Sequence, residues 1–379
     1  MTNISFLSDS KSINLYPLNI GKCASSLHFG VRSVSTQWEE AIAEKRSENT
    51  SSIMLNSRLM PTKSSVEFVC QMVPGEKWVV NGDTLAEIKG DTNKEVGKDV
   101  SALLTKSAAD YFEICGEGIG NDLNRLKIAW RARSLNESER ESWAMNGVFF
   151  HGNLKQVHIS PGVKIRSCNI NTENGDVLLG PNSEVMEGSC IRGPFALGEN
   201  STVKMGSQIY GPTSIGQNCK VGGEVSNIVM HDYSNKGHGG FVGNSVIGSW
   251  CNLGAGTTSS NLKNTYGEVK LYSAKERQLI NGGRVFCGIL MGDHSKTAIH
   301  TAFNTATVVG AFCNVFGKGA PEKHIPSFTW GGAEGVKEYR IEQAISTAKK
   351  VMARRNIELT FREEAAIEKL FNDTSADRA

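Results

Sequence analysis

The sequence predicts a parallel β-helix of hexapeptide repeats over about residues 149–320, with an α/β segment before it and a helical tail after it. Two observations carry this. Aliphatic residues recur every six positions through Leu179, Val185, Ile191, Leu197, Val203, Ile209, Ile215 and Val221. The residue four places after each is mostly small: Ser183, Ser189, Ser201, Ser207, Thr213, Cys219 and Val225, with Phe195 the exception. Most of the 40 glycines also lie in the second half, with aliphatic residues persisting between them. That pattern signals many tight turns around a core and not disorder.

A period of six fits neither an amphipathic helix nor a hairpin. It fits a coil of short flat strands with a corner every six residues, where Gly or Asn tolerates the corner dihedrals. Three such flats make an 18-residue coil, which places Leu179, Leu197 and Ile215 above one another. Stacked coils share backbone hydrogen bonds at about 4.8 Å, and none buries its core face alone. Ile159 and Ile165 mark an earlier coil. The phase resumes at Ile247 and Leu253, and again from Val285 through Met291, Thr297, Phe303, Val309 and Val315. The interruptions at 226–241 and 260–284 are therefore expected to be loops, where function concentrates on a rigid scaffold.

Residues 1–148 read as an α/β domain. Ile4-Ser-Phe-Leu and Lys77-Trp-Val-Val-Asn are strand-like, and Ser101–Cys115 has helical spacing. Asn136–Trp143 is a helix-capable lead into the coils. In the tail, 321–379, residues 336–355 place Tyr339, Ile341, Ala344, Ile345, Ala348 and Met352 on one helical face, and a short helix at about 361–371 follows.

Charge excludes some classes. Lys plus Arg number 41 and Asp plus Glu 39, a net charge of +2 without a basic stripe, so no nucleic-acid partner is expected. No stretch approaches the ~20 apolar residues that span a bilayer. Met1–Ser10 lacks a basic region followed by an apolar run, so a signal peptide is not expected. Nine single cysteines without a C-x-x-C pair read as reduced thiols in a cytoplasmic protein.

Gly237-His238-Gly-Gly-Phe241-Val-Gly243, followed by Asn252-Leu-Gly254-Ala255-Gly256-Thr257 and Asn261-Leu, carries a family signature. It resembles the acetyltransferase half of the bifunctional N-acetylglucosamine-1-phosphate uridyltransferase/glucosamine-1-phosphate acetyltransferase family, and most closely that enzyme's sugar-nucleotidyltransferase-like relatives. The resemblance implies a nucleotidyltransferase-like α/β domain, then a left-handed parallel β-helix that forms a homotrimer. It covers about 179–315 strongly and the first 150 residues weakly. There, Leu15-Tyr-Pro-Leu18, Phe29-Gly30-Val31 and Asn81-Gly82-Asp83 match, which implies nucleotide binding by Lys22 and Asp83, with Asp83 on Mg²⁺. The Gly-x-Gly-Thr-Arg phosphate loop is missing, and Gly21-Lys22-Cys23 stands where relatives carry Thr-Arg-Pro. Lys22 keeps a charge without the guanidinium fork.

Acyl transfer to an amine needs a base, donors for the oxyanion and a channel for the acyl carrier. His238 is the expected base, since imidazole titrates near neutral pH. The resemblance implies sugar contacts from Glu224, Phe241, Asn252 and Asn261, and an acetyl-CoA or other acyl-CoA groove near Ala255, Ile289 and Thr307. Phe241 and Leu262 stand where the bifunctional enzyme has Tyr. Lys263 and Lys270 are nearby cations. His231 and Asp232 offer either an orienting carboxylate or solvated charge. His294 and His300, six apart, suggest a metal pair without a third ligand. The expected activity is acyl-CoA-dependent N-acyltransfer to an amino-sugar phosphate or nucleotide sugar, a cell-envelope polysaccharide precursor. The alternatives are a sugar-1-phosphate nucleotidyltransferase with a structural trimerising β-helix, and a non-catalytic nucleotide-sugar-binding regulator.

Overall fold

The computed structural model describes residues 3–45, 52–91 and 94–378. Its centre is a stack of three-sided coils. Leu179 pairs with Leu197 and Leu197 with Ile215, all in parallel register. Val185, Val203 and Val221 stack on a second flat, and Ile191 and Ile209 on a third. Each of these side chains is buried, so the six-residue period is the inward-facing row of a parallel β-helix.

The stack is longer than the period suggests. Leu135 and Val148 already belong to its core, and Arg133–Ser134 pairs antiparallel with the first coil. At the far end, Thr329–Gly332 still pairs with Asn314–Val315. The parallel coils thus begin at Phe149–His151, with packed residues and an antiparallel strand before them, and continue past 320.

The segment 226–241 is not a loop. The strands Glu224–Met230 and Phe241–Ile247 lie fully within the stack. Ile215 pairs with Met230, 15 residues on, where the two coils before it take 18. The contraction has a local cause. Two residues are lost between Val221 and Val225, four apart where Val203 and Ile209 are six apart, and one where the Gly193-Pro194 and Gly211-Pro212 corners of lower coils give way to a single Asn, Asn227 (φ 55°) or, one coil on, Asn244 (φ 46°). Shorter coils shift the hexad phase without breaking the stack. The second interruption is a true insertion: Ile247 pairs with Met291, 44 residues on, and an antiparallel hairpin of Lys270–Ser273 and Gln278–Asn281 projects between them. Val285 is exposed, so the inward row resumes only at Met291.

The N-terminal part holds a five-stranded mixed sheet ordered Ile4–Leu7, Ile53–Asn56, Asp83–Ile88, Glu76–Val80, Lys94–Val96. Residues 101–106 are not helical: Leu104 bridges Leu59, and helix begins at Asp110–Glu113 and runs on through Cys115–Ala129. The Asp110 carboxylate, in the first turn, accepts from the backbone N–H of Lys106 and Ser107 and ties the preceding segment to the helix. This part docks on one flat of the β-helix. The flat's outward residues Leu178, Ala196, Val229, Val246, Leu290 and Val308 are buried in the same core as Trp38, Trp78 and Phe112.

One corner of the stack forms a ladder of left-handed residues: Asn182, Asn200, Asn218, Tyr233, Trp250, His294, Phe312 and Phe328, with φ from 55° to 62°. Asn tolerates that region, whereas bulky residues are strained there. Ring stacking offsets the strain. Tyr233–Trp250, His294–Phe312 and Phe312–Phe328 are parallel at centroid distances of 4.1, 4.7 and 5.0 Å. The tail helices Ile341–Ala353 and Phe361–Asp373 close the ladder, with Phe371 edge-on to Phe328 and the Arg378 guanidinium over both rings.

A second joint ties the N-terminal part to the coils. His28 stacks on His231 at 4.4 Å and its Nε2 lies 3.7 Å from Asp232. Burial holds His28 below the ordinary imidazole range, despite Asp232, and holds His231 well below it. Burial also brings His294 down to about 3 and His324 to about 4.

Two predictions follow from this packing. Phe328→Ala should lose about 3–5 kcal/mol in denaturant unfolding. Phe328→Gly should lose about 1 kcal/mol less, because glycine relieves the left-handed strain that Ala keeps; equal losses would argue against strain at the corner. The unfolded chain protonates these four histidines near pH 6.5, whereas burial holds all four below that in the fold. Stability is therefore present above pH 6.5 and is lost as pH falls toward 4. Thermal midpoints measured across that window should drop; a flat profile would contradict it.

Candidate functional site

A coil passes from the second flat through a corner to the third flat, and His238 sits at that corner. Asn235–Lys236 ends the second flat, Gly237 to Gly240 form the corner, and Phe241 begins the third. The imidazole is exposed. Its backbone is fixed from three sides. Below, a Cβ on Gly223 (φ 70°) would stand 2.7 Å from the His238 carbonyl oxygen. Above, Gly256 N–H donates to the Gly239 carbonyl at 3.0 Å. Within the coil, Lys236 Nζ donates to the His238 carbonyl at 2.8 Å.

Glu224 and Phe241 are register partners on the third flat. The Phe241 ring lies over Gly243, where a Cβ would meet Phe241 Cζ at 2.6 Å, so only glycine admits the ring. Asn261 reaches the far edge of this flat, its Nδ2 donating to Asn244 Oδ1 at 2.7 Å. The structure thus brings Glu224, Phe241 and Asn261 onto one face, with His238 at its near corner. Asn252 lies elsewhere: it bridges Asn235 and Lys296 on the second flat, exposed, on the other side of the corner.

Ala255 sits one coil above His238, half-buried between Gly254 and Gly256. The Ile289 and Thr307 side chains are closed to solvent. Ile289 fills the coil core, and Thr307 Oγ1 donates to the Asn304 carbonyl. Neither side chain can line an open groove, because both fall in inward positions of the docked flat.

Asp232 does not orient His238. It accepts from Gln217 N–H at 2.9 Å and faces His28. His294 is half-buried in the ring ladder while His300 is exposed at another corner, and no group of three potential metal ligands occurs among the described residues.

In the N-terminal part, Lys22 Nζ pairs with Asp293 of the β-helix at 2.6 Å, so its charge ties the two parts together. Asp83 lines a cavity of about 280 Å³ with Asp9, Asn56 and Gly82. Its carboxylate is held by Lys11 Nζ at 2.7 Å, and Asp9 by Arg58, whose contacts help lower the Asp9 pKa to about 2 against the opposing effect of burial. These paired carboxylates do not fit a Mg²⁺ ion.

Sequence reasoning missed Lys323. Its Nζ donates to Thr305 Oγ1 at 3.3 Å. Burial, then the ammonium groups of Lys263 and Lys270, lower its pKa. No carboxylate within ion-pair distance of these three lysines occurs among the described residues. Lys323 lies two coils beyond Asn261 in the stack and 60 residues from Lys263 in sequence, so no local motif signals the cluster.

No family model matches the chain. A bifunctional sugar-1-phosphate nucleotidylyltransferase/acetyltransferase of Sulfurisphaera tokodaii is 31% identical over 176 residues, which is 46% of this chain and 41% of that protein. The chain therefore spans about two fifths of the length of this curated relative. Among solved structures, the polySia specific acetyltransferase NeuO aligns with TM-score 0.30 and 12% identity over 55% of this chain and 98% of its own. An Arabidopsis UDP-N-acetylglucosamine acyltransferase aligns with TM-score 0.22 and 15% identity over 61% and 92%. At such scores the description of the coils rests on their own registers. Over nearly half its length, the chain is thus similar in sequence to a bifunctional sugar-1-phosphate nucleotidylyltransferase/acetyltransferase.

Proposed function

We propose that this protein transfers an acyl group from acyl-CoA to the amine of an amino-sugar phosphate or nucleotide sugar, with His238 as the base. The observation that carries the reading is the arrangement of the third flat. An exposed imidazole stands at one corner, an aromatic ring lies over a glycine in the middle, and Asn261 stands at the other corner, on the side of Lys263, Lys270 and Lys323. An amino-sugar phosphate laid across this face puts its amine at His238, its ring over Phe241 and its phosphate toward the lysines. The similarity to an enzyme named for sugar 1-phosphates and acetyl transfer supports the same substrate class.

In this reading, the amine attacks the thioester carbonyl while His238 accepts the amine proton. The tetrahedral intermediate then collapses, the C–S bond breaks and CoA leaves as its thiol, taking that proton. Ala255 and its flanking glycines let the acyl carrier approach the corner from above. Glu224 and Asn261 hold the sugar. We further infer left-handed coils, a homotrimer and a cytoplasmic setting, in keeping with the signature around His238. The N-terminal cavity enters no step in this reading; its Asp9 and Asp83 carboxylates are paired with cations.

His238→Ala should lower kcat by about 10²- to 10⁴-fold, with KM for acetyl-CoA little changed. N-acetylated product would be measured by mass spectrometry with glucosamine 1-phosphate as acceptor. Unchanged turnover would remove His238 from the mechanism. Lys323→Ala should raise the acceptor KM several-fold and weaken its dependence on salt, as loss of a phosphate-facing charge requires; an unchanged KM would place the phosphate elsewhere.

A further inference from the structure

The inward row of the second flat reads Val203, Val221, Lys236: a lysine occupies a core position that lower coils give to valine. Its side chain is 2% exposed. Burying an ammonium costs several kcal/mol unless its donors are satisfied. No ion pair to Lys236 occurs among the described residues. Two of its three N–H donors go instead to backbone, the Gly222 carbonyl one coil below and the His238 carbonyl in its own coil, each at 2.8 Å. Burial pushes the ammonium down to about 8, which records the cost of keeping it there.

The His238 peptide needs such a tether. Glycines flank His238 on both sides, so the backbone that carries it has more rotational freedom than ordinary residues allow. With its carbonyl drawn inward by Lys236 and closed from below by Gly223, that plane has one orientation, and the imidazole leaves the coil in one direction.

We propose that Lys236 is a positioning residue for His238, spending core stability to fix the direction of the reactive ring. The proposal rests on the reading of His238 as the base. Lys236 touches no substrate and acts only through the His238 peptide.

The test uses the full chain carrying Lys236→Met, which keeps the length of the side chain and removes the donors. Its kcat for N-acetylation should fall about 10- to 100-fold, as a displacement near 1 Å costs, with KM for acetyl-CoA and acceptor within about twofold. Hydrogen exchange should quicken in the peptide covering 234–241 and stay unchanged in 195–221. Lys236→Gln, whose amide can still donate to one carbonyl, should recover part of the loss. Wild-type kcat in Lys236→Met, or exchange raised evenly through all coils, would overturn the proposal. His238→Ala measured in parallel separates the failures. An inactive His238→Ala beside a fully active Lys236→Met overturns the positioning role alone. A fully active His238→Ala overturns the base assignment, and the positioning role with it.

Discussion

The backbone hydrogen bonds between coils are the constraint on which the rest of this structure depends. A coil of short flats cannot pair its own N–H and C=O groups, so each must meet the coil above or below. Register is thereby fixed at every corner, and a residue placed at a corner has a defined neighbour on both sides. The His238 corner takes its order from this. Gly223 beneath lets the His238 carbonyl approach closely, and Gly256 above donates to the next carbonyl, that of Gly239.

The same constraint explains how the stack absorbs irregularity. Coils of 15 residues and a coil of 44 both keep parallel pairing, because a corner can be shortened to one Asn or opened into a hairpin while the flats stay aligned. Where the corner carries aromatic residues in the left-handed region, ring stacking and the tail helices supply what the backbone loses. Rigidity of this kind suits a surface that must hold several groups at fixed separations along one face.

Much of this was legible in the sequence. The inward aliphatics from Leu179 to Val221 gave the coil and its period, and Gly-His with the downstream Asn and Gly pattern marked the corner. The contracted coils were not legible as coils, since shortened corners, at Val221–Val225 and at Asn227, shift the phase and a strict count of six reads the shift as a loop. The docking flat was present in apolar triplets such as Val177-Leu178-Leu179 and Ile289-Leu290-Met291, which are buried on both sides. Those triplets explain why Ile289 faces the core and not a groove. Lys236 and Lys323 escaped for another reason. Their meaning lies in partners brought close by stacking, the Gly222 and His238 carbonyls for one and Lys263 and Lys270 for the other.

The N-terminal part and the coils share one core and two ionic or aromatic joints, so the sheet that carries Asp83 is built into the same body as the His238 corner. Which of the two holds the sugar is the central question. Electron density from crystals of the full chain grown with CoA and an amino-sugar 1-phosphate answers it most directly. The account predicts the sugar across Phe241 and Gly243, its amine beside His238 and its phosphate among Lys263, Lys270 and Lys323. Density for the sugar in the cavity beside Asp9 and Asp83, with the His238 corner empty, would contradict it.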